Sequence, residues 1–234
     1  MYRFGAIEAD KGFAGERGLA QGLSVLRRAV ARQVNPSRVL DLLIAVAALI
    51  FTAPLLIVLA LLIRAQDGGP AVFGHLRIGR DGRSFRCFKF RSMVVDSDAR
   101  LQALLATDPE ARREWELDRK LRNDPRITAV GNFLRKSSLD ELPQLFNVIR
   151  GEMSIVGPRP IVAAEAKRYG ASFRQYCSVR PGITGLWQVS GRNNLPYRRR
   201  IALDRLYARS KCVSVDLRIL ILTVPAVLSR NGSY

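Results

Sequence analysis

Histidine is almost absent: His75 is the only one, and the cysteines number three, Cys87, Cys177 and Cys212. One histidine excludes any mechanism that needs two, including the His-Glu-x-x-His zinc proteases. The cysteines are far apart, odd in number and without a Cys-x-x-Cys pair. That argues against a zinc cage or a disulfide framework and for a reducing, cytosolic setting. Acidic residues are scarce too, with 20 Asp and Glu against 38 Lys and Arg, a net charge of +18. Such a balance demands an anionic partner: nucleic acid, an anionic membrane face or a phosphorylated substrate. Internal repeats and low-complexity tracts are missing. What remains is a 234-residue chain, 48% hydrophobic and 25% charged. It is long enough for a sizeable core and too apolar to be mostly disordered.

Residues 1–35 carry Gly5, Gly12, Gly15, Gly18 and Gly22, and the expectation there is a flexible tail ending in a short basic helix with Arg27, Arg28 and Arg32. The dominant physical feature comes next. From Leu42 to Ile63 there are 22 uncharged residues, interrupted only by Thr52 and Pro54. About 20 apolar residues suffice to span a bilayer as a helix. The run comes too late, and lacks a small-residue cleavage site after it, to be a signal peptide. Both flanks are basic: Arg27, Arg28, Arg32 and Arg38 before it, Arg64, Arg77, Arg80, Arg83, Arg86, Lys89 and Arg91 after it. Positive charge marks the cytoplasmic side, and one straight span cannot keep both flanks there. Pro54 cannot donate to Ile50 and predicts a break. The expectation is a re-entrant helical hairpin over 36–66, with Thr52 satisfying backbone freed at depth. An ordinary kinked span is the competing reading.

Residues 72–91 predict a small β-hairpin turning at Asp81-Gly82. Residues 95–122 predict a solvated helical pair broken at Asp108-Pro109, ended by Asn123-Asp124-Pro125. Leu217–Leu228 is apolar, too short to span, and reads as a core or an interfacial helix.

One pair of acids stands out. Between residues 131 and 200 there are twelve Lys or Arg and four Asp or Glu. Two of the four, Asp140 and Glu141, are adjacent. Ser138-x-x-Glu141 fits a capping box, and acids in a first turn complement the macrodipole. Pro143 instead favours a helix start near Asp140, where a missing N–H is tolerated. Both starts stay open. Downstream, Arg159 lies between Pro158 and Pro160 on a stiff backbone suited to presenting a guanidinium to phosphate. Arg180-Pro181 and Gly191-Arg192 repeat the idea, with Trp187 between them as a nucleotide-reading aromatic.

Several stretches, in order, resemble one family. They are Lys89-Phe90-Arg91-Ser92-Met93, Asn123-Asp124-Pro125-Arg126, Ser138 to Gln144, Met153 to Pro160 and Arg180 to Asn193. Together they resemble the bacterial sugar transferases, monotopic polyprenyl-phosphate phosphoglycosyl transferases. Phe73-Gly74-His75 and the ending Leu228–Tyr234 are most similar to the short exopolysaccharide-priming hexose-1-phosphate transferases. The resemblance implies an enzyme that moves galactose or glucose 1-phosphate from a UDP-sugar to undecaprenyl phosphate. Asp140 would be the nucleophile and a ligand to Mg²⁺, and Glu141 a base or orienting group. Arg135, Arg159 and Arg192, with Lys89, Arg91 and Arg180, would bind phosphate and nucleotide. Arg38 and Asp41 match family positions at the membrane entry. The family's Ser-Pro break appears here as Ala53-Pro54, one residue after Thr52.

The expected architecture is α+β and mainly helical. Amphipathic interfacial helices surround one cytoplasmic catalytic domain, 67–234, at the cytoplasmic face of a bacterial inner membrane. A homodimer is compatible with it, and no nucleic-acid motif is present. The rival readings are a membrane-tethered basic binding protein and an inactive scaffold of a polysaccharide assembly complex. Topology is testable first. Single cysteines replacing Val30 and Pro70 are expected to label from the same, cytoplasmic side; reactivity on opposite sides would sink the hairpin.

Overall fold

The computed structural model describes residues 35–118, 121–191 and 195–228. The chain falls into two compact units, residues 1–39 and 40–234. In the first, Asn35 opens a helix. Its side-chain oxygen accepts from the Ser37 N–H at 3.1 Å and its carbonyl from the Arg38 N–H at 2.7 Å.

That helix, α1 (Pro36–Asp67), is a single element with Pro54 inside it. It is the one described helix long and apolar enough to cross a membrane. Thr52 does not serve the Ile50 carbonyl that Pro54 leaves without a donor. Its hydroxyl donates to the Ala48 carbonyl at 2.7 Å, the usual four-residue back-bond of a helical threonine.

Within the second unit, α1 is held near both ends. Asp41 is buried and accepts from the Ser154 hydroxyl at 2.9 Å and the Ile155 N–H at 2.8 Å. Asp67 accepts from both terminal nitrogens of Arg91 and from the Val95 N–H at 3.2 Å. Between these anchors Ala45, Leu59 and Ile63 are buried, whereas Ile50 and Phe51 are 72% and 87% exposed. An exposed apolar stripe of this length needs a non-aqueous neighbour.

The hairpin appears where alternation placed it. Strand β1 (Val72–Ile78) pairs antiparallel with β2 (Ser84–Phe90), from Val72↔Phe90 to Ile78↔Ser84. Asp81 takes φ 59° in the turn, a conformation Asp tolerates better than most residues. Phe85, Cys87 and Phe90 are buried. The helical pair is α2 (Ser97–Thr107) and α3 (Pro109–Asp118). Asp108 breaks it by accepting from the Glu110 and Ala111 N–H groups at 2.9 and 3.0 Å.

Next comes α4 (Ala129–Ser137), capped by Thr128, whose hydroxyl oxygen accepts from the Gly131 N–H at 2.9 Å. A Cβ on Gly131 would sit 1.9 Å from the Ser92 carbonyl oxygen, so α4 rests directly on the backbone after β2. Helix α5 (Gln144–Arg150) is tied to β2 by Asn147. The Asn147 side chain accepts from the Phe88 N–H at 2.9 Å and donates to the Arg86 carbonyl at 2.7 Å.

A second, parallel pair had no sequence signal. Strands β3 (Ser154–Val156) and β4 (Gly182–Thr184) meet at Ser154↔Gly182 and Val156↔Thr184. Three residues are too few for a period to show. Short helices α6 (Ala163–Tyr169) and α7 (Phe173–Cys177) lie between the two strands in the chain, and α8 (Leu186–Val189) follows β4. Helices α9 (Tyr197–Ser210) and α10 (Val213–Leu228) close the unit. The last begins four residues before the expected start. It buries Ile219 and leaves Ile221 72% exposed. The Tyr207 hydroxyl joins α9 to both neighbours, reaching the Asp216 carboxylate at 2.6 Å and the Val156 carbonyl at 2.9 Å.

Asp204, on α9, generates a stability prediction. It is buried; Tyr169 donates to its Oδ2 at 2.8 Å, and its Oδ1 finds no partner among the described residues. Burial pushes its carboxyl up to about 7. The folded state therefore holds the proton more tightly than the unfolded chain. Stability from this group is full below the ordinary Asp value and is lost as pH rises to about 7. The loss has an upper bound of roughly 4 kcal/mol. Asp204→Asn is expected to flatten that slope in denaturant midpoints measured from pH 4 to 8 in detergent.

Candidate active site

The acid pair sits neither in a capping box nor at the start of a regular helix. Ser138 takes φ 58° and ends α4, and its side chain makes no capping bond to the next turn. Leu139–Glu141 form that turn, a single 3₁₀ turn, and Pro143 is the N-cap of α5. Proline costs nothing there, because that N–H would have no helical partner. Both sequence-based helix starts are thus replaced by a tight turn between two helices.

The turn aims both carboxylates at one cation. The Lys89 ammonium, near the end of β2, donates to Asp140 at 3.3 Å and to Glu141 at 2.7 Å. Neighbours on a regular helix diverge by about 100°. Here the lysine enters from the hairpin and the turn wraps around it, so divergent backbone positions still give convergent side chains. Arg159 approaches Glu141 at 3.9 Å from the loop after β3. Arg135, half-buried in the last turn of α4, donates to the Ser92 hydroxyl at 2.9 Å, and its charge reaches Asp140.

These neighbours split the two acids. Burial raises the Asp140 carboxyl above the ordinary aspartate range, and Glu141 beside it adds to the rise; Lys89 and Arg135 offset only part. Burial pushes Glu141 up as well, but Lys89, Arg159 and Arg77 outweigh it, so Glu141 ends below its ordinary value. Adjacent carboxyls with opposed shifts can take different parts in phosphate chemistry.

Glu141 lines an open cleft, with Asp140 next to it in the chain. Its walls include Arg77, Cys87, Lys89, Gln144, Arg159 and Gln188. Of the expected phosphate binders, Lys89, Arg135 and Arg159 are brought to Asp140 and Glu141. Arg91 is drawn away into the ion pair with Asp67. Arg180 donates to the Gly151 carbonyl at 2.8 Å, over the left-handed cap of α5. Arg192 lies outside the described residues. Trp187 is buried in α8 with Arg200 over its ring at 4.9 Å, not displayed in a loop.

Sequence reasoning missed Arg77, Gln144 and Gln188 as wall residues. In the sequence Arg77 counts only as flanking charge, and the glutamines carry no pattern of their own. Glycines shape this wall. A Cβ on Gly182 would lie 2.0 Å from the Gly157 nitrogen, and one on Gly185 would lie 2.2 Å from the Gly157 oxygen.

Among the described residues no three His, Cys, Asp or Glu side chains gather into a metal cage. Mg²⁺ often takes one or two carboxylates, waters and substrate phosphates. Asp140 and Glu141 fit that donor set.

The site thus sets clustered carboxylates and cations beside an open cleft, in a unit that also carries an exposed apolar helix. The chain belongs to the bacterial sugar transferase family, whose profile matches residues 32–230. It is 53% identical over 197 residues to an undecaprenyl-phosphate galactose phosphotransferase of Salmonella typhimurium. It is 51% identical to a UDP-galactose-lipid carrier transferase of Erwinia amylovora. Each alignment covers 84% of this chain but 41% of the relative, so the chain spans about two fifths of their length. A third relative, the exopolysaccharide production protein ExoY of Sinorhizobium fredii, is 49% identical, with 84% of this chain and 87% of that one aligned.

The shared ammonium is directly testable. Lys89→Met removes the main attraction that opposes burial at Asp140. Its titration midpoint, tracked by carboxyl infrared difference spectra, is expected to move to higher pH. An unmoved midpoint would mean that the ion pair does not set the charge of Asp140.

Proposed function

We propose that the protein transfers a hexose 1-phosphate, galactose or glucose, from a UDP-sugar to undecaprenyl phosphate, the priming step of exopolysaccharide synthesis. The convergence of Asp140 and Glu141 on Lys89, with Arg159 at the rim, carries this reading. The names of the relatives point the same way.

In the proposed ping-pong sequence, an Asp140 carboxylate oxygen forms a bond to the β-phosphorus of the UDP-sugar. The bond from that phosphorus to the bridging oxygen breaks, and UMP leaves with the oxygen. A phosphosugar is then held on Asp140. A phosphate oxygen of undecaprenyl phosphate attacks the same phosphorus and releases the Asp140 carboxylate. The raised proton affinity of Asp140 suits a nucleophile, since charge on a buried carboxylate is costly. Glu141, held ionised, orients the acceptor or takes its proton. Lys89, Arg135 and Arg159 fix and neutralise phosphate oxygens, the main need of phosphoryl transfer. Mg²⁺, when bound through Asp140, would supply further neutralisation of the diphosphate.

The same reading puts the chain at the cytoplasmic face of a bacterial inner membrane. From Asp41 to Asp67, α1 would be about 39 Å long if straight, more than a bilayer's hydrocarbon thickness. Yet both residues are bonded to the same folded unit. That supports a helix that enters and leaves one leaflet, with Pro54 at the bend.

The test is UMP release by purified protein in the presence of Mg²⁺ and undecaprenyl phosphate, across UDP-galactose, UDP-glucose and their N-acetyl forms. Release is expected with at least one donor. Radiolabelled sugar phosphate is expected to remain on the wild type and not on Asp140→Asn. Equal labelling of the two would remove Asp140 as the nucleophile. No release from any donor would favour the scaffold or basic-binder reading.

A further inference from the structure

Two wall residues of the cleft have needs that the protein itself does not meet. Gln188, on α8, donates from its amide nitrogen to the Ile183 carbonyl at 3.0 Å. Its amide oxygen is buried and accepts no hydrogen bond among the described residues. A buried acceptor without a donor is costly. Arg77, on β1, contacts the His75 Nδ1 at 3.2 Å but meets opposite charge only at a distance. Glu165 is 3.9 Å away, and that carboxylate is already engaged by the Val162 N–H at 3.0 Å. Arg77 also stands near Arg159, and burial together with that repulsion lowers its proton affinity. An anion between the two guanidiniums would relieve both effects.

A ligand that met both needs would be an anion that also carries an O–H or N–H. The diphosphate of a nucleotide sugar is fully ionised at neutral pH and its oxygens accept without donating, so the diphosphate alone answers Arg77 and leaves Gln188 unmet. A sugar phosphate answers both. The uracil of the donor also has an N–H, but ribose and the α-phosphate separate it from the reacting phosphorus. The hexose is joined directly to the β-phosphate.

We infer that Arg77 and Gln188 form the subsite for the hexose 1-phosphate half of the donor, Arg77 on its phosphate and Gln188 accepting from a hydroxyl of the sugar. This rests on the proposed transfer and adds two residues to it. The subsite would keep hold of the sugar phosphate after UMP departs, while Asp140 carries it. It takes over the role expected of Arg91 and Arg180, which the fold uses elsewhere.

The experiment compares UDP-galactose or UDP-glucose, whichever the wild type uses, with UMP as a competitive inhibitor. UMP has the nucleoside and one phosphate but no sugar phosphate. Gln188→Leu is expected to raise KM for the donor about tenfold or more, and to change the UMP inhibition constant less than about twofold. Arg77→Met should show the same split with a fall in kcat, partly restored by Arg77→Lys. Glu165→Gln removes the carboxylate that Arg77 faces outside the acid pair and should behave like wild type. If Gln188→Leu weakens UMP as much as donor, or changes neither, the subsite is wrong. If Glu165→Gln reproduces Arg77→Met, Arg77 serves α6 and not the ligand. Should Arg77→Met lose its thermal unfolding transition, Gln188→Leu decides alone. A wild type that releases no UMP would instead overturn the transfer itself.

Discussion

One ammonium holds the site together. Two adjacent carboxylates in a partly buried turn would repel each other and pay for lost hydration, and each effect alone pushes a carboxyl toward its neutral form. Lys89 offsets both at once, and it can do so only because three elements meet there. The hairpin carries it inward, the 3₁₀ turn wraps around it, and Asn147 locks α5 to the strand that bears it. Each of these features is ordinary by itself. Their conjunction leaves Glu141 charged and Asp140 poised at higher proton affinity.

The second constraint is backbone proximity on the opposite wall. Gly157, Gly182 and Gly185 let two short strands and the start of α8 approach within distances that no Cβ would allow. That close packing sets Arg159 at the rim and Gln188 in the wall. Buried polar ties do the rest. Asp41 fastens the apolar helix to β3, and Tyr207 fastens α9 to α10 and to β3. A helix with an exposed apolar face is thereby made part of the body that carries the site, so the apolar face and the acid pair share one scaffold.

Much of this was legible in the order of residues. Alternation over Ser84–Phe90 and the Asp81-Gly82 turn marked the hairpin. Asp108-Pro109 marked the break between α2 and α3. Pro143 signalled trouble for a simple helix, although the answer was a turn ending at a proline cap. The β3–β4 pair was invisible, since each strand is only three residues long and the two are joined through α6 and α7. Among the arginines, sequence could not separate those that face the cleft from those that hold the fold. Arg91 and Arg159 look alike in a string of letters. One meets Asp67 at the end of α1, and the other meets Glu141.

Local pattern is decided by neighbours in the chain, so the sequence by itself determined the apolar helix, the hairpin, the basic excess and the acid pair. It also determined the family, through motifs long enough to be specific. Partnership is decided between residues far apart in the chain, 24 apart for Arg91 and Asp67 and 51 for Lys89 and Asp140, and only the tertiary structure could assign it. Lys89 went to Asp140 and Glu141, Arg91 to Asp67, and Arg77 to the cleft, because a charge takes the partner that folding brings within a few ångströms, whatever its distance along the chain.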